Sequence, residues 1–350
     1  MINLDDIPAI QKLDSKKLLE SLWELPEQCE AAWYSAEQSE LPQFEAISNI
    51  VVTGLGVSAV SGDLLRVFCG SRISVPIIVN RDYILPEFVA GDTLVFATAY
   101  SGNTEATLSA YEEARCKKAP LVVVTSGGRL TEKAVSDGVP VITIPNGMLP
   151  RVAVAQLFLP MLCVLHRLGF LGEMMGEIAD LVSHLKIIRK KLKPEVPESE
   201  NPAKQLARLL YNRIPVFWGS AGITEVAACR WKEIVNESAK APAYWNIMPN
   251  LDYNERLAFQ FPKDLLGRFC VVVLRDPYDH PLVQQRAEAV KEMLREAVAG
   301  TTEINASGST TLARAFSLMY TGDYAGIYLA ALYGFDPGRE TVLISEITGR

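Results

Sequence analysis

Short apolar runs separated by longer mixed segments set the rhythm of this chain. Ile50–Thr53, Pro76–Val79, Thr93–Thr98, Pro120–Thr125 and Pro140–Ile144 are rich in Val, Ile, Leu and Thr. Apolar runs this short predict strands buried on both faces, and helical patterns lie between most of them. Strand–helix–strand repetition predicts a parallel sheet covered by helices on both sides. Ahead of the first run, Ser15–Glu40 has the spacing of an amphipathic helix, with a kink expected at Pro26. Val152–Leu165 is the most apolar stretch, broken by Gln156 and Pro160. It is too short to cross a bilayer and predicts a buried helix.

Lys186–Glu200 is charged and carries Pro194 and Pro197, which predicts a helix end followed by a linker. The pattern then restarts. Val216–Gly219 reads as a strand, Thr224–Val235 as a helix, Phe269–Leu274 as a fully buried strand, Glu303–Ala306 as a third strand and Leu312–Tyr333 as a long helix. The expectation is an α/β chain of two tandem, doubly wound, flavodoxin-like parallel-sheet domains. An N-terminal helix occupies 1–40, the first domain 41–170, a helix and linker 171–202, and the second domain 203–350.

Composition narrows the function classes. The net charge of −7 argues against non-specific binding to nucleic acid or to an anionic membrane. The N-terminal segment MINLDDIPAIQKLD has acids and no apolar core, unlike a secretory leader. The six cysteines (Cys29, Cys69, Cys116, Cys163, Cys229 and Cys270) are scattered singly, without zinc or redox spacing. A cytoplasmic protein with reduced thiols is expected. The three histidines stand apart from one another, so no metal is expected.

Two loops carry candidate chemistry. Gly54, Gly56 and Ala59 follow the first strand in the loose form of a dinucleotide fingerprint. The acid that such a fingerprint requires after the second strand is replaced by Asn80-Arg81, so no nucleotide cofactor is expected. What remains is a tight turn delivering N–H groups and Ser58 to a helix start, which suits an anion. The plainer alternative is a turn chosen for strand–helix packing. The second loop, Tyr100-Ser101-Gly102-Asn103-Thr104-Glu105, sets two hydroxyls, a glycine and an amide at the end of the third strand. Open α/β sheets bind ligands in that crevice. Its plainer alternative is a helix cap made by Ser101 or Asn103.

The segments GLGVSAVSGDLLR, AYSGNTEATL and MLPRVA resemble the sugar isomerase (SIS) domain. RWKEIVNESAKAPAYWNIMPNLDYNE resembles one branch of it, the bifunctional phosphoglucose/phosphomannose isomerases. The resemblance implies interconversion of glucose 6-phosphate or mannose 6-phosphate with fructose 6-phosphate through an enediolate, without metal or nucleotide. It implies a hexose 6-phosphate as substrate and a homodimer with its site near the subunit interface. It assigns substrate binding to Ser58, Ser101, Gly102, Asn103, Thr104 and Arg151. It assigns catalysis to Glu237 as proton carrier, Arg151 as the cation beside the enediolate and Tyr253 as the ring-opening group. Four positions depart from the family pattern. Tyr253 stands for the histidine of a His-Asn-Glu triplet, Thr348 near the place of a C-terminal lysine, Ala99 for a serine and Val57 for a glycine. These departures support a second reading, a non-catalytic sugar-phosphate sensor or partner subunit built on the same fold.

Overall fold

The computed structural model describes residues 2–339. Three helices open the chain: α1 (Ile7–Leu13), α2 (Leu18–Trp23) and α3 (Leu25–Glu37). The single kinked helix expected over Ser15–Glu40 is thus two helices, broken at Glu24. Pro26 sits in the first turn of α3, where its missing N–H costs nothing, so it starts a helix instead of bending one.

The first sheet follows: β1 (Asn49–Thr53), α4 (Val57–Cys69), β2 (Ile77–Asn80), β3 (Thr93–Ala99), α5 (Glu105–Cys116), β4 (Leu121–Thr125), α6 (Gly128–Ser136) and β5 (Val141–Thr143). All strands are parallel, in the order β2-β1-β3-β4-β5. Side chains alternate across it. Ile50, Val52, Leu94, Phe96, Val122 and Val124 point to the face that holds α4. Val51, Val95, Ala97, Leu121 and Val123 point to the face that holds Tyr111 of α5 and Leu130 of α6. Strands apolar at every position are what a sheet covered on both faces needs.

Three helices lead to the second half: α7 (Val154–Arg167), α8 (Met175–Leu192) and α9 (Pro202–Leu210). The apolar stretch forms α7, buried from Val154 through Leu165. Burying each large aliphatic or aromatic side chain there contributes about 1.5–3 kcal/mol. The second half contains β6 (Ile214–Ser220), α10 (Ile223–Ile234), β7 (Tyr244–Met248), α11 (Lys263–Leu266), β8 (Phe269–Arg275), α12 (Pro281–Leu294), β9 (Gly300–Asn305) and α13 (Thr311–Leu332). Its sheet is also parallel, in the order β7-β6-β8-β9. The two sheets are separate, but one apolar core is shared between them. Phe158 of α7, Trp231 of α10 and Tyr324 of α13 belong to the same buried cluster as Phe96 of β3 and Val272 of β8.

Two elements differ from the sequence reading. No strand is read between Thr224–Val235 and Phe269–Leu274, yet Tyr244 and Trp245 begin the edge strand β7. An edge strand shows one flank to solvent and lacks the continuous buried run that marks β6 or β8. No helix is read between Phe269–Leu274 and Glu303–Ala306, yet α12 forms there with His280 as its N-cap, the Nδ1 accepting a hydrogen bond from the Leu282 N–H at 3.2 Å. Among the described residues no helix is long and apolar enough to cross a membrane.

Candidate active site

The site is built where β1 and β3 end. The chain order reverses between these neighbouring strands, and the crevice at such a switch point is where open sheets take ligands. After β1 the chain turns through Gly54 and Gly56 into α4, and Ser58 lies buried in the first turn. A Cβ at Gly54 would stand 2.7 Å from the carbonyl oxygen of Thr98. The absent side chain brings this turn against the end of β3, so strand packing and loop placement are one effect here.

After β3 the hydroxyl loop is held from several sides. Gly102 has φ +67°, and a Cβ there would fall 1.8 Å from the Gly127 carbonyl oxygen, so only glycine fits. The Leu130 N–H donates to the Gly102 carbonyl at 2.9 Å. Asn103 Oδ1 accepts from the Arg129 N–H at 3.1 Å, which commits that oxygen to the start of α6. The Asn103 N–H donates to Ser101 Oγ at 3.3 Å. Thr104 is the N-cap of α5 by backbone conformation, yet its side chain makes no capping hydrogen bond. Neither Ser101 nor Asn103 caps the helix, so the plainer alternative for this loop does not describe it. An exposed Ser101, a Thr104 hydroxyl not spent on capping and the first N–H groups of α5 lie together where β3 passes into α5, a suitable setting for a phosphate.

Tyr100 ties this loop to the arginine. Its hydroxyl oxygen accepts from the Met148 N–H at 2.9 Å, and burial pushes its pKa up from the ordinary tyrosine value. Three residues on, Arg151 lies in the short 3₁₀ turn Pro150–Val152 that leads into α7. Its Nη1 donates to the Glu237 carbonyl at 2.8 Å and to the Pro337 carbonyl at 2.7 Å, and its Nε is 3.6 Å from Glu237 Oε2.

Glu237 stands on a π turn, Val235–Ala239, that extends α10 and ends at Lys240 in the left-handed conformation. Such turns leave carbonyls of the last helical residues free of their usual partners, and Arg151 takes one of them. The Glu237 side chain is 39% exposed against 10% for Arg151. An ion pair with one half-exposed member contributes about 0–1 kcal/mol. The contact therefore does little for stability; it places a cation beside an acid in the crevice. Lys240 joins them, its pKa lowered by burial first and then by the Arg151 charge, with Glu237 opposing.

Tyr253 is not brought to this group. It ends a 3₁₀ turn, Asn250–Tyr253, after β7 and is 76% exposed. It makes no hydrogen bond to Arg151 or Glu237 among the described residues. Its triplet neighbours anchor the loop: Glu255 accepts from Trp218 Nε1 at 2.8 Å and from Asn246 Nδ2, while Asn254 Oδ1 accepts from the Glu255 N–H. Ala99 is buried at the end of β3 and Val57 is buried at the start of α4. Thr348 lies outside the described residues. Among those described, no group of three or more His, Cys, Asp or Glu side chains is arranged to hold a metal ion.

Three contributions escaped the sequence reading. Tyr100 and Lys240 sit inside the quoted motifs, but nothing in the spacing says that one bridges two loops and the other faces Arg151. Arg230 and its partner Asp323 lie within apolar helical patterns; a charge on a buried face was the available signal.

Two parallel sheets sharing a helical core, with a glycine turn and a hydroxyl loop at one switch point, are the architecture of an SIS-type α/β protein. A profile of the bacterial phospho-glucose isomerase C-terminal SIS domain matches residues 199–347. A bifunctional phosphoglucose/phosphomannose isomerase of Caldicellulosiruptor bescii is 44% identical over 321 residues, covering 91% of this chain and 95% of that protein. One from Aquifex aeolicus is 33% identical, covering 83% and 86%. The chain belongs to the bifunctional phosphoglucose/phosphomannose isomerase family. The same fold occurs in a glucose-6-phosphate isomerase like protein from Thermus thermophilus, with TM-score 0.66 and 19% identity, covering 97% of this chain and 99% of that one.

Proposed function

We propose that this chain interconverts glucose 6-phosphate and mannose 6-phosphate with fructose 6-phosphate. The observation that carries this reading is the contact of Arg151, from the first half, with Glu237, from the second, joined through Met148 and Tyr100 to the hydroxyl loop. Ser101, Thr104 and the first N–H groups of α5 hold the phosphate, with Ser58 beside them, and Gly102 and Asn103 keep the loop in shape. The Glu237 carboxylate takes the proton from C2 of the open-chain aldose. The released electron pair forms the C1–C2 double bond and leaves the carbonyl oxygen as an oxyanion, which Arg151 stabilises. Glu237 returns its proton to C1, and the O2 proton passes to O1, giving the ketose. A sensor needs the cradle alone; a paired acid and cation at the reacting end favour the enzyme.

The active assembly in this reading is a homodimer. Tyr253, Leu257, Phe261, Tyr278 and Leu282 are large apolar side chains exposed on loops, short turns and a helix start of the second half, and a second copy would cover such side chains. Tyr253 would then reach the other copy's crevice. A phenol carries an O–H donor, so the part of Tyr253 in ring opening is to donate a hydrogen bond. The substrate class and the scattered single cysteines suit the cytoplasm. The chemistry requires neither metal nor nucleotide, and chelation is expected to leave turnover unchanged.

Incubation of the purified protein with fructose 6-phosphate tests the proposal. Both glucose 6-phosphate and mannose 6-phosphate should accumulate. Saturable binding without either aldose would establish the sensor instead.

A further inference from the structure

We infer that Arg230 and Asp323 form a strut that positions Arg151 for the isomerisation. The inference rests on the reading of Arg151 as the cation beside the enediolate.

Arg230 lies inside α10 and is fully buried; Asp323 lies in the middle of α13 and is 5% exposed. Nε and Nη2 of Arg230 stand 3.0 and 2.9 Å from Asp323 Oδ1. The same Nη2 donates to the backbone carbonyl of Arg151. Arg151 is thus held at both ends. The Glu237 and Pro337 carbonyls fix its guanidinium, and the buried Arg230 fixes its backbone. Two helices of the second half thereby grip a loop of the first half, at the residue whose charge the reaction needs.

Stability is a poor explanation for this pair. Taking two charges out of water costs several kcal/mol for each ion, and well-packed apolar side chains of similar volume are often as stable or more so. The helices that carry the pair bury Trp231 and Ile234 on α10 and Tyr320 and Tyr324 on α13, and Glu233 and Glu237 are the other charges that act on Arg230. An apolar pair would suit that core; it could not hold the Arg151 carbonyl. Loss of placement matters because a shift of about 1 Å in a stabilising group costs up to about 100-fold in rate. The grip acts on the transition state and not on phosphate binding, which is carried by the loops after β1 and β3.

Steady-state kinetics on fructose 6-phosphate, with thermal unfolding alongside, test the strut. Asp323→Asn should lower kcat about tenfold or more while KM stays within about twofold. It should also lower the Tm, because the buried Arg230 loses the carboxylate it is hydrogen-bonded to. The paired variant Arg230→Met/Asp323→Leu should recover the Tm but not kcat. Arg230→Lys should keep part of kcat, since an ammonium can still reach the Arg151 carbonyl. A paired variant with wild-type kcat would show that the pair only fills the core and would overturn the strut alone. A rise in KM matching the fall in kcat would overturn it too, because the damage would then be general. A wild type that binds fructose 6-phosphate without turnover would remove the isomerase reading, and the strut with it.

Discussion

After β1 and β3 the first half turns through Gly54–Ser58 and Tyr100–Thr104; after β6 and β8 the second half turns through Ser220–Gly222 and Asp276–His280. The two pairs of loops occupy equivalent places, each between neighbouring strands from which the chain departs in opposite directions. Their chemistry differs. Between Tyr100 and Thr104 there is no charged side chain, only hydroxyls, an amide and N–H groups. The second crevice, a cavity of about 410 Å³, is lined by Asp276, Asp279 and His280 as well as Ser220 and Gly222. Asp276 accepts from Arg314 Nε at 3.0 Å and from the Tyr278 N–H at 3.1 Å. Asp279 Oδ2 accepts from the Asp276 N–H at 3.0 Å. Buried carboxylates repel a phosphate where water is excluded. Topology therefore supplies a crevice twice, and in the proposed reading loop composition equips the first of the two for a phosphorylated sugar. The first is joined, through Tyr100, Met148 and Arg151, to an acid of the other half, Glu237, whereas Asp276 of the second pairs with Arg314 of its own half.

The largest effect expected from breaking this asymmetry is at Glu237. A carboxamide cannot carry a proton, so Glu237→Gln should cut isomerisation by about 10²–10⁴-fold while binding of fructose 6-phosphate persists. Equal loss of binding and turnover would show a structural role. Next comes the cradle. Removing one hydroxyl that bonds a charged oxygen costs about 1.5–3 kcal/mol, so Ser101→Ala and Thr104→Ala should each weaken hexose 6-phosphate binding by that amount. Ser220→Ala, the matching change on the second edge, should leave it unaltered. Calorimetric titration of the three variants decides whether the two edges differ as stated.

A smaller effect concerns pH. Burial raises the Asp323 carboxyl from 3.8 to about 6, with Arg230 pulling it down. Between those values the folded chain binds a proton that the unfolded chain releases, so its unfolding free energy falls as the pH rises across that window. Asp14 and Glu233, also raised by burial, act in the same direction. The Asp323 share is of order 2–3 kcal/mol at most, and Asp323→Asn should remove it. Unfolding followed from pH 4 to 7 should therefore show a shallower decline in the variant; an unchanged slope would deny Asp323 its raised pKa. The smallest effect is at Tyr253. Restoring the triplet with Tyr253→His should raise turnover on cyclic glucose 6-phosphate severalfold with little change in KM. No gain on the cyclic sugar would remove Tyr253 from ring opening.

What could be read from the chain follows from physical range. β1, β3, β4 and β8 are apolar at nearly every position because both faces are covered, and that signal is local. β7 lacks it, since its first residues Tyr244 and Trp245 lie exposed at the sheet edge. α12 buries only Ala287, Val290 and Leu294, too thin a stripe to stand out among its charges. The hydroxyl loop was legible as a strand end followed by a helix start. Glu237 was legible only by resemblance, because a glutamate near a helix end is ordinarily a solvated charge. The contacts that assemble the site are non-local. Tyr100 meets Met148 across 48 positions and Arg230 meets Arg151 across 79, and no periodicity reports such pairs.

The central claim is that Glu237 moves hydrogen between C1 and C2 of a sugar held by the first crevice. Fructose 6-phosphate incubated with the protein in deuterium oxide tests it most directly, with the C1 position followed by NMR. The account predicts deuterium at C1 in the wild type and none above background in Glu237→Gln, although both proteins bind the sugar. Binding with no exchange in the wild type, or exchange that survives Glu237→Gln, would contradict it.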